Sequence, residues 1–126
     1  MFTHMFVGSN DIDKSRTFYD AALGALGHAN VMPGDAPRLV YPSQGGSFIV
    51  GAPADGQPAT QYNGFTVGFG AADAAAVDAF HAAGLAAGGT DEGAPGKRPN
   101  APGNAYGAYL RDPDGHKVCA FCQLPE

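Results

Sequence analysis

Apolar and polar positions along this chain recur with two different periods, and the switches between them mark out the elements. The opening "FTHMFVG" alternates with the two-residue period of a half-buried strand. From Asp11 the period lengthens. Ile12, Ser15, Tyr19, Ala22 and Leu26 fall on one side of a helix, with Phe18 and Leu23 beside them. Three strand candidates separated by breakers follow, "ANVM", "PRLVYP" and "SFIVGA". The same progression then begins again. "GFTVGFG" reads as a strand, Val77, Phe80, Ala83 and Ala87 as a helix face, and "GGTDEG", "AYGAYLR" and "HKVCAFC" as strands. Asp11 and Asp73 are placed to accept hydrogen bonds from the free amides of the two helix starts. Each helix stops at glycine, as a left-handed cap requires.

The recurrence is visible residue by residue. A shift of 62 positions sets Gly8 over Gly70, Asp11 over Asp73, Phe18 over Phe80, Leu23 over Leu85 and Gly27 over Gly89. We read the chain as a single α+β domain, residues 1–126, made of two βαβββ modules that form a curved mixed sheet around a concave pocket. Module 1 covers residues 1–53 and module 2 residues 63–126. Between them, 54–62 belongs to the turn-rich linker "APADGQPATQYN". The second module carries the longer loop, "APGKRPNAPGN", between its second and third strands.

Composition narrows the partners. Acidic residues outnumber basic ones by 12 to 7, and no basic run is longer than Lys97-Arg98, so no nucleic-acid or membrane partner is expected. The longest apolar run is far too short to span a bilayer, and the amino terminus lacks the pattern of a signal peptide. A cytoplasmic protein is expected. The 19 glycines favour turns and close backbone approaches over a helical bundle.

The stretch "DPDGHKVC" combines a tight polar turn with the start of an apolar strand. Alternation puts Cys119 and Phe121 on one face and Val118, Ala120 and Cys122 on the other. Cys119 and Cys122 therefore point apart, too far for a disulfide, and both are read as reduced thiols.

Two segments carry a resemblance to a known family. "FTHMFVGSNDIDKSRTFYDAALGALG" and "YGAYLRDPDGHKVCAFC" resemble the opening strand and helix and the closing hairpin of the vicinal oxygen chelate superfamily, which includes lactoylglutathione lyase, bleomycin-resistance proteins and extradiol dioxygenases. "GGTDEGAPGKRP" is similar to a small glyoxalase-like branch. The resemblance implies four ligand positions for one divalent ion, from the first and last strand of each module. In this chain they fall on His4, Val50, Thr66 and Cys119. Val50 has no donor atom, and Thr66 and Cys119 depart from the family's His and Glu. No cofactor is expected from the residues themselves. Zinc, nickel, manganese or iron held by His4 and Cys119 is what the resemblance offers, with Thr66 and water completing a zinc tetrahedron.

Other candidates line the expected pocket. The resemblance places Tyr109 where extradiol dioxygenases have a catalytic tyrosine, and Tyr109 and Cys119 are the candidate catalytic residues. His4, Thr66, Arg98 and Tyr109 are the candidate ligand-binding residues. Arg98, in a flexible loop, suits an anionic ligand tail, and Arg38 and Tyr41 are secondary candidates. His28, His81 and His116 read as surface residues. The function expected is that of a glyoxalase-like protein, related to lactoylglutathione lyase, that acts on or binds a small polar organic molecule between the modules. The alternative is a metal-free, bleomycin-resistance-like binding protein, with a dioxygenase behind both. If it is an enzyme, lyase or isomerase chemistry is expected. A homodimer is implied by the resemblance.

Overall fold

The computed structural model describes all 126 residues, Met1 to Glu126. The first alternating stretch forms β1 (His4–Gly8), and the helical period forms α1 (Ile12–Gly24). Asp11 caps α1 by accepting from the amides of Asp13 and Lys14 at 3.1 and 3.2 Å. Then come β2 (Arg38–Tyr41) and β3 (Ser47–Gly51). The second half contains β4 (Val67–Gly70), α2 (Ala74–Ala86), β5 (Thr90–Lys97), β6 (Ala105–Arg111) and β7 (Lys117–Gln123). Asp73 caps α2 through the amide of Ala76 at 2.8 Å.

The α+β class is as expected, and the strands divide between two mixed sheets ordered β1-β3-β2 and β4-β7-β6-β5. In each, the first strand of the half lies parallel to the last, Val7 beside Val50 and Val67 beside Val118. The first half has one strand fewer than the sequence suggests. "ANVM" forms no strand. It is tied to β2 by the Val31 amide on the Val40 carbonyl and by the Asn30 side chain on the Val40 amide, both at 3.0 Å. In the second half β5 runs on to Lys97, so "APGK" of the expected loop is strand, bent by register shifts between Asp91 and Gly96.

One core joins the halves. Phe18, Tyr19, Phe48, Phe69 and Phe80 form a chain of ring contacts, with Phe48 and Phe69 edge to face at 5.0 Å across the boundary. Fully burying such a ring contributes about 1.5–3 kcal/mol, and edge-to-face pairing somewhat more. Gly84 lets α2 approach β6 closely, since a Cβ there would lie 2.4 Å from the Leu110 side chain. No helix is long and apolar enough to cross a membrane.

The turn between β6 and β7 is more than a connection. Gly115 takes the positive φ the turn needs, 90°. Asp112 accepts the amides of Asp114 and His116 on one oxygen, both at 2.9 Å, and the Tyr19 hydroxyl on the other at 2.6 Å. His116 donates from Nε2 to the Gly8 carbonyl at 2.7 Å, and Asp114 accepts the Asn10 amide at 3.1 Å. The polar hairpin of the second half is thereby bonded to the β1–α1 corner of the first. His116 is thus buried, contrary to its reading as a surface residue.

Candidate functional site

On β7, Val118, Ala120 and Cys122 pack into the core. Alternation turns Lys117, Cys119 and Phe121 to the opposite face of the sheet, which no helix covers. Register brings their partners to the same face: Tyr109 beside Cys119 and Gly107 beside Phe121 on β6, and Gly68 beside Cys119 on β4. Tyr109 is the centre of this surface. Its ring meets Phe121 edge to face at 5.6 Å, the Arg98 guanidinium at 5.4 Å and the Lys117 ammonium at 4.9 Å. Glycines give these side chains room to lie down. A Cβ at Gly107 would lie 2.4 Å from the Phe121 ring, and one at Gly93 would lie 3.2 Å from both Arg98 and Tyr109.

The protonation of this surface follows from burial. Cys119, 5% exposed, has its thiol pushed up to about 11 by loss of solvent, although Lys117 and Arg98 both act to lower it. Tyr109 is raised above its ordinary value, first by desolvation and then by Cys119, with Arg98 opposing. At neutral pH both groups are hydrogen-bond donors. A nucleophilic cysteine needs the reverse shift.

A cavity of about 250 Å³ lies between the halves. His4, Met5, His28 and Tyr41 line it from the first half, and Val67 through Gly70 from the second. Gly68 belongs to both features: it lines the cavity, and a Cβ on it would lie 3.4 Å from the Cys119 sulfur.

The four positions expected to share one pocket do not. His4 is exposed at the cavity rim, with Nδ1 2.9 Å from the Thr3 hydroxyl. Thr66 is exposed and lies just before β4 begins at Val67. Val50 is fully buried in the core, on the opposite face of its sheet from His4. The error is one residue. Gly68 is opposite Cys119 in the second half, and Phe6, its counterpart, is opposite Ile49 in the first. Because strand side chains alternate, that slip moves the position from the open face to the core. Ile49 has no donor atom either. Nowhere do three His, Cys, Asp or Glu side chains converge as metal ligands. With Val50 in the core, Ile49 in its place and only His4 and Cys119 as strong ligand types, the residues present do not fit a divalent ion.

Arg98 and Tyr109 do come together, and Lys117 joins them. Sequence reasoning passed over Lys117, although its two-residue spacing from Cys119 was signal enough to place it on the same face. His28 lines the cavity and is half-buried. His81, read as a surface residue, is 8% exposed and bonded through Nε2 to Asp91 at 2.8 Å. Its helix position faces β5 rather than solvent.

Against known families, the model of the Glyoxalase/Bleomycin resistance protein/Dioxygenase superfamily matches residues 2–120. The chain belongs to that superfamily. Among solved structures, this superfamily member is similar to a glyoxalase/bleomycin resistance protein from Albidiferax ferrireducens T118, at 49% identity and a TM-score of 0.88 over 99% of both chains. A glyoxalase-related enzyme from Fulvimarina pelagi matches at 19% identity and a TM-score of 0.76, over 96% of this chain and 86% of that one. A lactoylglutathione lyase from Agrobacterium tumefaciens matches at 21% identity and a TM-score of 0.65, over 96% and 92%. The last two establish likeness of fold alone. No curated protein matches the sequence.

Proposed function

We propose that this superfamily member binds a small polar organic molecule on the open face of its C-terminal sheet, without a metal ion. The observation that carries this reading is the Tyr109 ring with Arg98 and Lys117 against it, above the buried thiol of Cys119. A half-exposed aromatic set among polar groups and glycines offers a ligand apolar contact area and a few directed donors. The metal-free part rests on the donor set, since His4, Thr66, Ile49 and Cys119 supply only two strong ligands between them, His4 and Cys119, where a metal site needs at least three.

A lyase or isomerase of the lactoylglutathione lyase kind would need a metal or a base at this face. Superfamily membership supports that second reading, and the donor set does not. We further propose a homodimer, because Phe6, 41% exposed on the open face of the first sheet, leaves apolar area uncovered. The cytoplasm remains the proposed compartment.

Calorimetric titration with zinc, nickel, manganese and ferrous iron tests the metal-free reading, with no stoichiometric binding expected at micromolar metal. Tight binding abolished by His4→Ala would overturn it. Amide chemical shifts measured against a library of small polar molecules test the face itself. Saturable changes should centre on Gly68, Gly93, Gly107 and Cys119. Changes confined to other surfaces would sink the assignment.

A further inference from the structure

We infer that the molecule taken by the Arg98–Tyr109–Lys117 face is an organic anion, carrying a carboxylate or a phosphate, rather than a neutral or cationic compound. This rests on the reading of that face as the ligand site. The argument begins with charge. The chain has five more acidic than basic residues, yet this face gathers two cations that no carboxylate neutralises. Contact with one ring holds Arg98 and Lys117 within about 10 Å of each other, about one Debye length, so their repulsion is not fully screened. Glu92, whose ionisation Lys117 also favours, is already engaged by Arg111 at 2.9 Å.

The donors on this face are also unspent. Arg98 gives one terminal nitrogen, Nη2, to the Ala94 carbonyl at 2.6 Å; its Nε–H is buried without an acceptor, and its other terminal nitrogen, Nη1, makes no hydrogen bond within the chain. Charge-assisted bonds from a guanidinium and an ammonium to one oxyanion would use these donors and cancel the repulsion together. The half-exposed Tyr109 hydroxyl, held neutral beside these cations, would donate to an oxyanion rather than repel it. A cationic ligand meets two like charges here, and a metal ion meets the same barrier.

The test uses the full chain labelled for amide NMR at constant ionic strength, with four probes: benzoate, inorganic phosphate, neutral benzamide and cationic benzylamine. Benzoate or phosphate, or both, should shift the amides of Gly68, Gly93, Gly107 and Cys119 saturably, which of the two responds distinguishing carboxylate from phosphate recognition. Benzamide and benzylamine should bind at least about tenfold more weakly, as expected for loss of charge-assisted bonds. Lys117→Met and Arg98→Gln should each weaken the anion about tenfold, and Lys97→Gln should not. The spectra report folding directly, and if Arg98→Gln misfolds, Lys117→Met carries the comparison, since that ammonium has no hydrogen bond or ion pair to lose and methionine keeps an apolar contact with the Tyr109 ring. Benzamide or benzylamine binding on this face as tightly as benzoate would overturn the anion inference and leave the ligand face standing. Anion shifts that persist unchanged in Lys117→Met would overturn it as well. Silence at this face from all four probes would overturn the inference and count against the face.

Discussion

The Tyr19 hydroxyl donates to the Asp112 carboxylate at 2.6 Å, and both residues are buried. One lies on α1 of the first half and the other in the turn before β7, so the bond spans the boundary between halves. Asp112 cannot serve two backbone amides and a phenol from a buried position unless the hairpin is held against α1. The tight turn in "DPDGH" thus sets the relation of the two halves, and with it the position of β7 and Cys119.

Removing either partner should destabilise the fold, and unequally. Tyr19→Phe deletes one charge-assisted hydrogen bond, which costs about 1.5–3 kcal/mol. Asp112→Ala strands the Tyr19 hydroxyl and the amides of Asp114 and His116, a loss of about 3 kcal/mol or more. Urea unfolding of both single variants and the double variant measures this. The double variant should lose much less than the sum, because the two residues share one bond. Strict additivity would show that the bond does not couple the halves.

Asp112 also makes a pH prediction whose sign is fixed. Burial raises its folded-state pKa above the ordinary 3.8, against the lowering by Tyr19 and His116. The folded state then binds a proton that the unfolded chain has released. The stability this group contributes is complete below the unfolded value and is lost as pH rises through the folded one. Asp112→Asn, which keeps the shape without the charge, should therefore gain stability relative to the native chain as pH climbs from about 4 towards neutrality. Unfolding curves at a series of pH values decide it. A relative loss over that range would mean that hydrogen bonding to the carboxylate outweighs its desolvation.

Much of this architecture was legible in the sequence. Asp11 and Asp73 announced the helix starts because a cap is local: one side chain, two or three residues from its amides. Alternation alone put Cys119 and Cys122 on opposite faces. What local pattern could not carry was register between distant strands. Val50 was aligned with Cys119, but the sheet pairs Phe6 with Ile49 and Gly68 with Cys119, and a one-residue offset exchanges core for open face. The histidines failed for a related reason. His81 and His116 sit at positions that read as exposed, and each is buried by a contact the local pattern does not show: Asp91 on the next strand, ten residues on, in one case, and Gly8, 108 residues away, in the other.

The Cys119 thiol should resist alkylation. With its ionisation pushed up to about 11 from 9.0, its thiolate fraction at neutral pH is roughly a hundredfold below that of an unperturbed thiol. Iodoacetamide labelling followed by mass spectrometry should show a rate at Cys119 at least that much below the urea-unfolded chain, rising with pH to about 11. Fast labelling at pH 7 would identify Cys119 as an activated nucleophile and would reopen an enzymatic role for this face.

Gly84 and Gly24 give opposite expectations for the same substitution. Glycine within a helix is about 1 kcal/mol worse than alanine, so Gly→Ala is favourable where space allows. Gly24, at the end of α1, has nothing within 4 Å of an added Cβ. Gly24→Ala should be neutral or stabilise by up to about 1 kcal/mol. At Gly84 the added methyl would meet Leu110 at 2.4 Å and Phe18 at 3.2 Å. Overpacking a core of this kind costs about 1–3 kcal/mol, which exceeds the propensity gain, so Gly84→Ala should be destabilising on balance. Thermal unfolding of both variants checks the pair. Stabilisation by Gly84→Ala would show that α2 moves off β6 freely, and the close packing argued for the shared core would then be wrong.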